Sequence, residues 1–394
     1  SGQPETRVHY DAADRELRRG EKRYDGTWVW SDTEYDVING KVSRESYPYR
    51  EDSTKIWINH GYDIYGRITS TWKQGTGYLS SYSYGNLYES ETTGGITTET
   101  HYNIDGTVDE VVDNGISIQY YYNPVGALCD SVVCGDRTIA FEYDRYGNRY
   151  SITDPSAGRQ TDTTAYLPSG ASVTTHINPN GKIIVYTDSL GRTTKTDRTG
   201  EFVTEYFYDD YGLLMSEISS NGTSVTYSYD AFDRVSSVTD SVPDGKWLRK
   251  DYTYGADGNV STIKYTSQDG EIDTEHYLYA NGHNVAVLLA GGQTVWRLTS
   301  ENEFGQPLSG ITGEVTRTYA YSEDGNPTER SMGTVQAFGY VFDALKGNLM
   351  SRTDLNRSST ESFTYDTDNR LSSFSGNEVQ YHENGGISYI EGVG

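Results

Sequence analysis

Aliphatic bulk is what this sequence has least of. Apolar residues supply 34% of its 394 positions and the mean hydropathy is −0.70, well under the roughly 45–50% of compact globular domains. A thin wall built of sheet fits this balance better than a thick, round core. Cysteine occurs twice, at Cys129 and Cys134. Five residues of extended chain hold their Cα atoms roughly 16 Å apart, beyond disulfide reach, so two unpaired thiols are expected. Large sheet proteins need no disulfides, and export stays open. No run of about 18 apolar residues is present for a membrane span. The chain opens at Ser1-Gly2-Gln3 without Met or signal peptide and stops at Gly394 in mid-pattern. We therefore expect a cut-out or processed piece of something longer, whose start is silent about compartment.

Positive charge is also scarce. The formal charge is −25 and the pI near 4.6, which argues against a nucleic-acid or anionic-membrane surface, because phosphate contacts need clustered Lys and Arg. The nearest cluster, Arg15 to Arg23, is interspersed with Glu16 and Glu21 and is expected to be a solvated segment. Catalytic signatures are missing too. The seven histidines, from His9 to His382, make no metal spacing, and no nucleophile elbow or phosphate-binding glycine loop occurs. Asp269, Glu271, Asp273 and Glu275 alternate along one stretch; on one strand face they would make either a weak cation site or, more simply, solvated charge. We expect no enzyme, metal or cofactor.

Tyrosine and glycine are abundant, with 36 and 42 copies. From Phe141 to Asp154 the chain alternates apolar and polar, then runs Tyr143-Asp144-Arg145-Tyr146-Gly147-Asn148-Arg149. Such a stretch predicts a tight turn between two strands, with Asp144 bonding amides two residues on and Gly147 supplying a positive φ. The same phrase returns as Tyr208-Asp209-Asp210-Tyr211-Gly212, Tyr229-Asp230-Ala231-Phe232-Asp233-Arg234 and Tyr365-Asp366-Thr367-Asp368-Asn369-Arg370. Aligned on the opening tyrosine, copies also begin at Tyr10, Tyr35, Tyr62, Tyr82, Tyr102, Tyr122, Tyr166, Tyr186, Tyr254, Tyr279, Tyr321 and Tyr381. Glu301 and Phe342 open two degenerate ones. Between them fall second turns, among them Asn114-Gly115, Asn221-Gly222, Asp244-Gly245 and Gly313-Glu314.

Two turns per step of about 20 residues leave two strands, a β-hairpin per unit. About 18 such units fill the chain. A lone hairpin cannot stand, so the units must stack, and accumulated twist forces the sheet to coil or wrap round a space. The prediction is an all-β fold of tandem hairpin repeats in one spiral, shell-like sheet. Residues 1–60, with longer steps and more charge, are expected to be a divergent N-terminal portion, and 61–394 the regular array continuing the same sheet. The run Asn284 to Leu289 is expected to be a buried strand.

These motifs, with Tyr186-Thr187-Asp188-Ser189-Leu190-Gly191-Arg192 and the following-turn stretch Ser151 to Arg159, resemble the YD repeat of the bacterial Rhs family over almost the whole chain. The resemblance implies a hairpin ribbon spiralling into a hollow shell. In that family the shell encloses a C-terminal toxin or effector, and the related teneurins use the fold at the cell surface. It implies a secreted or surface protein whose partners are its own C-terminal cargo or further shell repeats. The family's Arg-Tyr-Tyr-Asp-Pro core motif and Asp-Pro-x-Gly-Leu cleavage site do not occur here, so autoproteolysis attaches to no residue. The rival expectation is an adhesin binding glycan or a surface protein through exposed aromatics, with Trp28 and Trp30 as the stacking pair. Against it stands a ladder of tyrosines packing on one another between units.

Overall fold

The computed structural model describes residues 3–75, 77–124, 128–323, 325–343, 347–366, 370–381 and 386–392. Among these the regular structure is all strand, 37 in one sheet. Nearly every strand pairs antiparallel with the next in sequence, as Phe202–Tyr208 with Leu214–Ser219 and Leu214–Ser219 with Ser224–Tyr229. The one detour is at the start. The strand Trp28–Tyr35 carries two partners side by side, Val42–Ser46 and the short Tyr49–Arg50, and Val42–Ser46 continues to Trp57–Tyr62. The stretch 284–289 lies in the strand His283–Leu289, with Ala286 buried. No helix long and apolar enough to cross a membrane exists among the described residues.

The sheet is a ribbon one hairpin wide. One rim is formed by the Tyr-Asp turns and the other by the second, half-way turns. Glycine supplies the positive φ both need, as at Gly147 (84°) and Gly222 (87°); where the repeat lacks glycine, Asp233 takes the same conformation (60°). A register shift accompanies most Tyr-Asp turns, at Tyr143, Tyr208, Tyr229, Tyr254 and Tyr365 among others. The motif is therefore a bulge as well as a turn, and the extra residue adds local twist that helps the ribbon coil. Two alignments differ from the sequence reading. The shift in the copy opened by Tyr186 falls at Thr187, directly before Asp188, and at Tyr82 the strand runs on in register to Gly85.

The ribbon winds past itself. Lys73 Nζ meets Glu323 and Arg23 bonds the Glu303 carbonyl, contacts spanning 250 and 280 residues. One winding is thus about that long, and the stretch from residue 257 onward rides over the N-terminal strands. Burial is correspondingly shallow. The accessible surface is 23774 Å², whereas a compact monomer of 44.0 kDa exposes roughly 15,500 Å². Such core as exists gathers at the start, in Val29, Trp30, Tyr49 and Ile58.

Candidate functional site: the repeat turns and the seam between windings

Each complete turn is held by its acid. At residues 143–149 the Asp144 amide donates to the Asn148 carbonyl and the Gly147 amide to the Asp144 carbonyl, while Asp144 Oδ1 accepts the amides of Tyr146 (2.8 Å) and Asn148 (2.9 Å). Asp209 accepts the amides of Tyr211 and Leu213 in the same way. Where an arginine closes the turn, the second carboxylate oxygen receives its Nε. The distance is 2.8 Å for Arg234 to Asp230 and for Arg192 to Asp188, and 2.9 Å for Arg370 to Asp366. These donors hold the carboxyls below the usual range, the Asn148 amide foremost for Asp144 and the Arg234 guanidinium foremost for Asp230. Residues 367–369 lie outside the described part.

The motif tyrosine joins one turn to the one before. Its hydroxyl donates to the carbonyl of the residue that opens the strand leaving the preceding turn: Tyr143 to Cys129 (2.8 Å), Tyr208 to Thr193 (2.8 Å), Tyr229 to Leu214 (2.7 Å), Tyr365 to Leu349 (2.9 Å). Where the preceding turn ends in arginine, the guanidinium caps the ring, 4.2 Å from centroid for Arg234 over Tyr254 and 4.9 Å for Arg192 over Tyr208. Acid, arginine and tyrosine therefore form one latch repeated along the rim. The expected ladder of stacked tyrosines takes this other form: among the described residues none of Tyr143, Tyr208, Tyr229 and Tyr365 stacks on another motif tyrosine. A ladder fails because consecutive motif tyrosines sit two strands, roughly 9–10 Å, apart. The guanidinium fills the gap.

Truncating a latch tests its weight. Tyr229→Ala or Tyr365→Ala should cost about 2–3 kcal/mol by urea denaturation, and Tyr229→Phe, which deletes only the hydroxyl, about 1 kcal/mol. An unmoved midpoint for the alanine variants would contradict the latch.

Elsewhere on the sheet tyrosines donate to carboxylates. Tyr265 (3.0 Å) and Tyr277 (2.8 Å) share Glu275, and Tyr227 (2.7 Å) uses Glu217. Burial, then the carboxylate, pushes the Tyr265 phenol up to about 12 and raises Tyr227 and Tyr277 further. A phenol raised above its unfolded value near 10 lends stability below that value and loses it as pH climbs through the folded one. Phenolate absorbance should therefore show a tyrosine class titrating above pH 10 together with unfolding.

The acidic row 269–275 is not a shared cation face. A bulge at Ile272 breaks its alternation, Lys264 pairs with Glu271 at 2.7 Å, and the Asp273 carboxylate accepts from the Thr274 and Ala290 amides. No cluster suited to a metal occurs among the described residues. Both cysteines are free thiols. The histidines are scattered, and His382 lies outside the described residues.

Trp28 and Trp30 are not an exposed pair. Trp30 is 6% exposed, stacks on Trp28 at 5.4 Å and lies under the Arg18 guanidinium at 4.6 Å, while Arg7 covers Trp28 at 4.2 Å. The basic stretch 15–23 is ion-paired while part of it, Arg19 above all, stays open to solvent. Arg15 binds Asp11, Arg18 binds Asp32, Arg19 binds Glu16, and Lys22 binds Glu5.

Sequence reasoning missed the seam. Here the Tyr-Asp rim of the later winding sits on the half-way rim of the earlier one. Arg23 Nη2 donates to the Glu303 carbonyl (2.7 Å) and Tyr24 to that of Thr299 (2.8 Å). Asn281 Nδ2 donates to the Arg23 carbonyl (2.7 Å), Tyr47 meets the edge of Phe304 at 5.6 Å, and Arg50 faces Glu303 at 3.6 Å. Glu301, buried beside Arg23, has its carboxyl pushed up by that burial with Arg23 opposing. Further along, a cleft of about 520 Å³ separates Arg137, Pro155 and Ser156 from Asp366, Arg370 and Tyr381 of the next winding.

The architecture is a thin antiparallel hairpin ribbon coiled past itself, and one part of its sequence matches a known repeat. The sequence model of the RHS Repeat family matches residues 208–246, which include Tyr208, Asp209, Gly212, Tyr229, Asp230 and Arg234. Among solved structures the fold is that of the Photorhabdus luminescens Tc holotoxin pore with a TccC3 mutation (TM-score 0.70, 14% identity, 98% of this chain and 25% of that one). It is also that of TcdB2-TccC3 (0.63, 14%, 98% and 26%) and of TcdB2-TccC3 without its hypervariable C-terminal region (0.62, 14%, 95% and 23%). The chain spans about a quarter of the chains it matches. No curated protein matches it significantly.

Proposed function

We propose that the chain is a length of wall from a hollow spiral β-shell, structural rather than catalytic, in a secreted or cell-surface protein whose shell encloses a C-terminal polypeptide such as a toxin or effector. The observation that carries this reading is the surface, about half as large again as a compact molecule of this mass exposes. A ribbon one sheet thick is suited to bounding a space rather than filling one. The TcdB2-TccC3 likeness, one member of which lacks a hypervariable C-terminal region by name, supports a cargo beyond the wall. Within the wall, residues 1–60 serve as the divergent portion on which the later winding sits, and the motif residues from Tyr143 to Arg370 serve to fasten its hairpins.

Small-angle scattering of the purified chain tests the wall. The expected profile is that of a hollow, open body with a radius of gyration well above the roughly 21 Å of a solid globule of this length. A solid profile would move the reading to the adhesin, which the burial of Trp30 otherwise disfavours. Protease protection of the C-terminal region in the full-length gene product tests the cargo separately.

A further inference from the structure

At three of the Tyr-Asp turns in the first winding the tips are apolar and almost wholly bare. Val37, Ile38, Ile64 and Ile104 are 92–98% exposed, and Tyr65 stands out beside them. The turns at 36–41 and 63–67 lie two strands apart, roughly 9–10 Å, and the turn at 103–107 lies four strands further on, past the turn that carries the half-exposed Leu87, so these side chains share one rim. No turn needs an apolar residue there. The bonds at 36–41 and 63–67 run through the Asp36 and Asp63 carboxylates and backbone atoms. An exposed apolar row of this length on a chain so poor in apolar residues marks an interface.

What covers such a row is visible one winding later. The equivalent tip residue there, Phe304, is only 45% exposed because Tyr47 lies against it, with Arg50 facing the adjoining Glu303. The cover is a half-way rim bearing aromatic and basic side chains. Among the described residues a second half-way rim stands uncovered in the later winding, where Val335 and the side chain of Arg357 are strongly exposed and Leu355 partly so. The geometry points to a head-to-tail contact between two copies of this chain: the Tyr-Asp rim at 37–104 of one sits on the half-way rim at 335–357 of the other, repeating the seam already present within each copy. The contact is heterologous, so both copies keep one free rim and assembly continues into a ring or filament. The inference rests on the spiral and is independent of any cargo.

Sedimentation velocity over a hundredfold range of concentration tests it. The wild-type chain should grow in sedimentation coefficient as concentration rises. A tip variant, Ile38→Ser/Ile64→Ser/Tyr65→Ser/Ile104→Ser, and a rim variant, Val335→Ser/Leu355→Ser/Arg357→Glu, should each stay monomeric with a wild-type melting temperature. Mixed, the two should form heterodimers and no more, because only one good rim of each kind remains. A wild-type chain monomeric throughout, association unaffected by both variants, or a mixture that stays monomeric overturns the contact. The scattering profile of the monomer would still report on the hollow wall, so the two failures are distinguishable.

Discussion

Trp30→Ala should lower stability by about 3–5 kcal/mol, the largest loss expected from any single truncation in this chain. The reason is scarcity: few large side chains are buried, and Trp30 stands at the centre of those that are. On one side its strand partner is Gly20, where a Cβ would lie 2.5 Å from the indole; on the other it is Tyr49. Tyr49 is itself buried and donates to Asp32 Oδ2 at 2.8 Å. Removing the indole leaves a cavity that flat, stiff strands cannot close. The loss should also loosen the seam, whose lower half is built from Arg23, Tyr24, Tyr47 and Arg50 on the same strands and loops. Trp30→Phe should be much milder, because the buried indole Nε1 has no hydrogen-bond partner to lose. Urea denaturation followed by tryptophan fluorescence measures both. If the alanine variant unfolds at the wild-type midpoint, the N-terminal layer is not the packing centre.

How much of this was legible in advance divides along sequence distance. Strand, turn and repeat are local, and Asp144, Gly147, Asp230 and their counterparts announce them because turn chemistry admits few residue types at those positions. The phase slipped at Tyr82 because Tyr84 follows two residues on and either can open a turn, and at Tyr186 because Thr187 stands between the tyrosine and the turn acid Asp188. The fates of Trp28 and Trp30 were not legible. Polar flanks suggested exposure, and only the pairing of Trp30 with Gly20 on the neighbouring strand shows where the ring goes. The seam was least legible of all. Arg23 and Glu301 belong together only because about 280 residues of twisting ribbon bring them round, and no local pattern encodes that closure. The same limit explains Arg18, Lys22 and Arg23, which looked solvated although Asp32 and Glu5 lie on neighbouring segments and Glu303 on the winding above.

Acid should unfold this protein earlier than a disulfide-free sheet of mixed composition. The argument begins with the turn carboxylates. Asp11, Asp36, Asp105, Asp144, Asp154 and Asp230 are all held below their ordinary values, chiefly by amides, hydroxyls or arginines of their own turns. The sign follows from linkage. A carboxyl whose folded pKa is depressed lends stability above its unfolded value, near 3.9, and loses it as pH falls through the folded one. The contributions share a sign and a window, and because every unit leans on its neighbours, weakening many turns together acts on the whole ribbon. Glu301 works the other way. Burial raises its carboxyl, so the stability tied to it is complete below the unfolded glutamate value and declines as pH rises through the folded one. A single opposed group cannot offset the row. The thermal midpoint should thus decline only slightly towards neutrality, through Glu301, and fall steeply from about pH 4.5 towards pH 2. Asp230→Asn, which keeps an acceptor for the turn amides but loses the charge that binds Arg234, should lower the neutral midpoint and make the acid fall shallower. Glu301→Gln should leave the acid fall in place and remove the decline on the neutral side. A midpoint independent of pH down to 2 would mean that the acids of the Tyr-Asp turns do not hold the wall together.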